Sequence, residues 1–131
     1  MSSVGNVMIV NDDSHVLNTL QGALQSERIQ TVAFNDPKSA IDKIRADPKQ
    51  FSVIIVNYGS IMRGSQRKFA RIVKGIAIEI RVILTSGYDS SPVDLEYQGY
   101  DAYLKIPVAT KVLVFKVKEM LSNDKSVEPR T

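Results

Sequence analysis

A chain of 131 residues, 44% hydrophobic and 24% charged, has the size and composition of one soluble globular domain with a core of its own. It contains no cysteine, which excludes disulfides, zinc–thiolate sites and cysteine nucleophiles and fits residence in the cytosol. No apolar run reaches the length of a membrane span, the N-terminus lacks a secretory-signal pattern, and a net charge of +3 admits an acidic partner without naming one.

Short apolar runs alternate with amphipathic stretches along the chain. "VGNVMIV" (4–10) reads as a first strand, followed by "NDDSH". Residues 14–27 carry Val16, Leu17, Leu20, Ala23 and Leu24 at helical spacing, with Asp13 or Ser14 placed to cap. "IQTVAF" (29–34) is a second strand. A second helix opens on Asp36 as N-cap with Pro37 at its first position, and Pro48 closes it. "FSVIIVN" (51–57) is the third strand and delivers the neutral amide of Asn57 to its carboxyl end. A third helix is predicted over 62–75, with Phe69, Ile72, Val73 and Ile76 on one face. "IRVILTS" (80–86), a short helix at 91–98, "DAYLKI" (101–106) and a last helix at 110–122 complete the pattern, and 123–131 is a polar tail.

Near-continuous apolar strands alternating with helices predict a parallel sheet covered on both faces, an α/β doubly wound architecture occupying residues 1–122. In such open sheets functional groups gather beyond the carboxyl ends of the strands. The residues to weigh are therefore Asn11, Asp12 and Asp13, Asn57 to Gly59, Thr85 and Ser86, and Lys105 to Pro107.

The blocks "VMIVNDDSHVLNTLQGAL", "VIIVNY", "VILTSGY" and "GYDAYLKIP", in this order and spacing across residues 4–122, resemble those of a response-regulator receiver (CheY-like) domain. The resemblance implies the flavodoxin-like (βα)5 fold with strand order 2-1-3-4-5. It also implies a signalling role in two-component or phosphorelay systems rather than an enzyme's, with a histidine kinase or an output protein as partner. Members of that family take a phosphoryl group onto an aspartate ending the third strand. Acidic residues after the first strand help hold Mg²⁺, while a Thr or Ser ending the fourth strand and a Lys near the end of the fifth contact the phosphoryl oxygens. Position by position, this chain departs from the pattern three times. Asn11 stands at the first acidic position ahead of Asp12 and Asp13, Asn57 stands at the phosphoacceptor, and Ile106 stands at the lysine before Pro107. Thr85 matches the hydroxyl position and Tyr103 the aromatic that often switches rotamer. In the segment after the third strand, Ile61 replaces the usual proline and Gly64 falls one place early.

An amide oxygen carries no formal charge and cannot form the acyl phosphate. Losing a unit charge about 4 Å from a dication forfeits up to roughly 4 kcal/mol at an effective dielectric near 20. Mg²⁺ surrenders its water reluctantly, so Asp12 and Asp13 alone make a weak metal site. They also read as caps of the first helix. Lys105, adjacent to Ile106, should point to the opposite face. The expectation is thus a degenerate receiver that works by protein–protein contact. The alternatives are a regulator phosphorylated on another carboxylate such as Asp12 or Asp13, and a nucleic-acid-associated module. The latter would use a basic stripe of Arg63, Arg67, Arg71 and Lys74, which reads otherwise as a solvated face. A flavin protein is disfavoured because no Ser/Thr/Gly-rich phosphate loop follows the first strand. His15 reads as a surface residue. In the last helix Leu113, Val117, Met120 and Leu121 make a sufficient inward stripe, which leaves Val112 and Phe115 over. In receiver domains the face of the fourth helix, fifth strand and fifth helix is the usual self-association surface, so the resemblance implies a homodimer or partner interface there.

Overall fold

Five strands lie parallel in the order β2-β1-β3-β4-β5 in the computed structural model, which describes residues 6–59, 68–86, 99–105 and 110–122. The strands are β1 (Asn6–Val10), β2 (Gln30–Phe34), β3 (Phe51–Asn57), β4 (Arg81–Ser86) and β5 (Ala102–Lys105). The described helices are α1 (Ser14–Gln25), α2 (Pro37–Ala46), α3 (Phe69–Ile76) and α4 (Thr110–Ser122), with a single 3-10 turn at Pro48–Gln50. This is the predicted flavodoxin-like arrangement and strand order. The third helix, predicted from residue 62, is described from Phe69 onward. Its expected first half, the expected helix at 91–98, Ile61, Gly64, Ile106 and the tail 123–131 lie outside the described residues.

The pleat divides the core in two. Met8 and Val10, Ile54 and Val56, and Val82 and Leu84 turn to one face, against Ala40, Ile41 and Ile44 of α2 and Phe69, Ala70 and Val73 of α3. Val7 and Ile9, Val53 and Ile55, and Ile83 turn to the other, against Leu17 and Leu24 of α1 and Leu113, Val117, Met120 and Leu121 of α4. Burial on both faces explains why the strands read as unbroken apolar runs rather than alternating ones. The four predicted inward residues of the last helix are all buried, and Val114 packs at the edge of the same cluster.

Helix starts follow the capping signals. Asp13 caps α1 by accepting from the backbone amides of His15 at 2.9 Å and Val16 at 3.3 Å. Asp36 caps α2, its Oδ1 accepting from the Ser39 amide at 2.8 Å and its Oδ2 from the Ser39 hydroxyl at 3.0 Å. Pro37 at the first position supplies a pre-set φ and lacks a donor that would go unused there.

Candidate functional site

The pleat also decides which polar side chains meet at the strand ends. Asn57 and Thr85 are register partners on β3 and β4 and share the parity of Val53, Ile55 and Ile83, so they fall on the α1/α4 side of the sheet. Val10 is the register partner of Val56, which carries the chain after β1 alongside Asn57. Tyr103, one residue before Leu104, packs against the cluster on the α2/α3 side instead. The strand ends therefore bring Asn11, Asn57 and Thr85 to one place and hold the Tyr103 ring on the other face.

Each polar group there is engaged by a neighbour in the protein. The Thr85 hydroxyl donates to Asn57 Oδ1 at 3.3 Å and approaches the Val56 carbonyl at 3.5 Å. Thr85 is only 5% exposed and Asn11 6% exposed. Asn11 Oδ1 accepts from the Asp13 backbone amide at 2.9 Å, closing a tight Asx turn. The Asn11 backbone amide in turn donates to the Phe34 carbonyl of β2 at 3.1 Å. Asp13 spends one carboxylate oxygen on the α1 cap. Asp12 and Asp13 are both exposed, whereas Asn11 is buried. The inner member of the trio is thus the neutral one, as expected where a charge would have to be desolvated.

This donor set fits a magnesium ion poorly. Mg²⁺ takes near-octahedral oxygens, commonly one or two carboxylates together with phosphate and water. Here Asn11 and Asn57 present amides whose oxygens already accept hydrogen bonds, and one Asp13 oxygen serves the helix cap. Among the described residues, no group of three or more His, Cys, Asp or Glu side chains is placed to hold a metal ion.

The basic stripe expected on the third helix loses its last member to a partner. Arg71 is exposed, but Lys74 is only 17% exposed and its Nζ lies 2.7 Å from Asp101 Oδ2. The same Nζ donates to the Ile80 carbonyl at 2.6 Å, and Asp101 Oδ2 also accepts from the Val82 amide at 2.7 Å. Lys74 is therefore taken out of the stripe by a clamp joining α3 to the entries of β4 and β5. Helical spacing gave no sign of this, because Asp101 lies 27 residues away. Arg63 and Arg67 lie outside the described residues, as do Ile106 and the Lys105 side chain. His15 is exposed at the start of α1. Val112 is 47% exposed and Phe115 68% exposed on the outer side of α4.

Comparison with solved structures places this arrangement. A response regulator receiver domain protein from Clostridium thermocellum superposes with a TM-score of 0.79 at 17% identity, covering 95% of this chain and 99% of the other. A CheY-like receiver domain protein from Methanospirillum hungatei JF-1 gives a TM-score of 0.79 at 20% identity, covering 96% and 100%. The fold is that of the response-regulator receiver domains. An orphan response regulator of H. pylori is similar as well, with a TM-score of 0.70 at 17% identity over 89% of this chain and 96% of that one. No protein-family model and no curated protein matches the sequence. At these identities the likeness to receiver domains is one of fold, and the strand-end chemistry has to be argued from this chain's own residues.

Proposed function

We propose that this chain is a receiver-type signalling module that does not accept a phosphoryl group at the strand-end position and acts through protein–protein contact. The receiver fold and the order of the strand-end blocks support the signalling role. The observation that carries the loss of chemistry is the Asn57–Thr85 hydrogen bond. A neutral amide occupies the place where a nucleophilic carboxylate is needed, and it engages the hydroxyl that would otherwise steady a transferred phosphoryl. Phosphoryl transfer depends on dense positive charge and fixed donors around the developing oxyanions. Ile106 contributes no cation, and Asn11 removes a charge from the acidic trio. Magnesium has no role in this reading, for want of suitable donors.

Incubating the chain with a small phosphodonor and Mg²⁺, then measuring the intact mass, tests the proposal. The expected result is an unchanged mass. A stoichiometric gain of one phosphoryl group, on Asp12, Asp13 or any other carboxylate, overturns it. Signalling then falls to surfaces, and Val112 and Phe115 on α4 form one exposed apolar candidate. A nucleic-acid role draws less support, because Lys74 is committed to Asp101.

A further inference from the structure

At the other end of the sheet from Asn57 and Thr85, a hollow of about 640 Å³ borders the amino ends of β1 and β2 and the turn before β3. Its wall holds the carboxamides of Asn6, Gln25, Gln30 and Gln50 and the guanidinium of Arg28, and no carboxylate. Glu27, the acid beside Arg28 in the chain, is drawn away to Lys118 at 2.8 Å. Arg28 itself is exposed and makes no ion pair among the described residues. It also takes a left-handed conformation, with φ of 65°, in the turn that ends α1, where its amide donates to the Gln25 carbonyl and the Ile29 amide to the Leu24 carbonyl. Glycine adopts such a position without strain, so the turn alone does not ask for an arginine. Across the hollow, Gln50 Oε1 is buried without a hydrogen-bond partner, which native structures seldom tolerate. Rotation about the soft last torsion of that side chain presents the oxygen to the hollow. A fitting occupant therefore brings an anion for Arg28 and N–H donors for the carboxamide oxygens.

The neighbouring strand selects the occupant. β2 is outermost on its side of the sheet, and Gln30, Thr31 and Val32 belong both to it and to the wall of the hollow. The outer row of β2 amides and carbonyls has no strand partner among the described residues. Such an edge is completed by an extended peptide, whose main chain supplies the hydrogen bonds. Charge then sets the direction. A peptide laid parallel to β2 would bring its amino end to Arg28, cation against cation. Laid antiparallel, it ends beside Arg28, just ahead of the strand, so its terminal carboxylate and its N–H groups arrive together. We propose that the hollow and the adjoining edge of β2 bind the free carboxyl terminus of an extended peptide, with Arg28 pairing its carboxylate. A free amino acid offers the same anion, but it leaves most of the hollow unfilled and the edge unpaired.

Backbone amide shifts of the full chain, followed by NMR during titration with N-acetyl-tetraalanine, test the proposal. The expected result is saturable shifts concentrated at residues 25–32 and 50. The C-terminal amide of the same peptide should bind roughly tenfold more weakly or worse, because it lacks the charge that Arg28 pairs. Arg28→Gly should lose binding to the same degree without a lower thermal midpoint, which separates a binding role from a structural one. Gln50→Leu should weaken binding about threefold or more and leave the fold intact, since it removes an acceptor that has no partner in the free chain. Absence of saturable shifts at those residues overturns the inference, as does equal affinity for the peptide amide. Free alanine binding as tightly as the peptide also overturns it and assigns the hollow to a small carboxylate instead. None of these outcomes depends on the chemistry at Asn57.

Discussion

At the scale of single residues, side chains at the ends of elements are specified by local chemistry and behave accordingly. Asp36 illustrates this. The Ser39 amide, then the Ser39 hydroxyl, hold its carboxyl below the ordinary value of 3.8, against a small opposing effect of burial. A carboxyl whose folded-state pKa is depressed stabilises the fold above its unfolded value, and that contribution is lost as pH falls through the folded value. Replacing Asp36 by Ala should cost about 1 kcal/mol near neutral pH, the usual worth of such a cap. The difference between the two chains should shrink in acid, below the ordinary carboxylate range, and urea denaturation at several pH values would show it. Thr85→Val bears on the strand-end reading. If the hydroxyl serves only Asn57 and the Val56 carbonyl, the substitution should cost on the order of 1 kcal/mol of stability. The caps were legible in the sequence because their partners lie within three residues.

At the scale of elements, legibility followed the range of the interactions. The apolar runs placed β1, β3 and β4 close to their described bounds, because these strands are buried on both faces. The clamp between α3 and the sheet stayed hidden, since nothing local requires Lys74 to meet Asp101. Removing Asp101 would leave Lys74 largely buried without its counter-charge and the Val82 amide without its acceptor. Asp101→Ala should therefore cost about 2–4 kcal/mol, more than an exposed ion pair warrants, and thermal denaturation beside the parent chain would measure it. Gly99, just ahead of β5, has φ of +89°, and a Cβ built there would lie 3.2 Å from the Ala70 carbonyl carbon of α3. Gly99→Ala should thus destabilise by roughly 1–3 kcal/mol through backbone strain and crowding against α3. Unfolding midpoints unchanged from the parent chain would contradict that account of the turn.

At the scale of the molecule, the alternation of elements predicted a parallel sheet covered on both faces, and the resemblance to receiver domains supplied the strand order. The sheet order then dictated which strand tips converge. The engagement of those tips with one another was not readable, because the hydrogen bond between Asn57 and Thr85 depends on β3–β4 register. That register sets what restoring chemistry would require. Returning a carboxylate at position 57 supplies a nucleophile, yet the sequence still carries Ile at 106, where the receiver resemblance implies a lysine, and Asn11 at the first acidic position. Asn57→Asp alone should remain largely unphosphorylated by a small donor. The most direct measurement compares intact masses of the parent chain and the triple variant Asn11→Asp/Asn57→Asp/Ile106→Lys after identical exposure to phosphodonor and Mg²⁺. The account predicts that the triple variant alone becomes heavier by one phosphoryl group, and a parent chain that becomes equally heavy contradicts it.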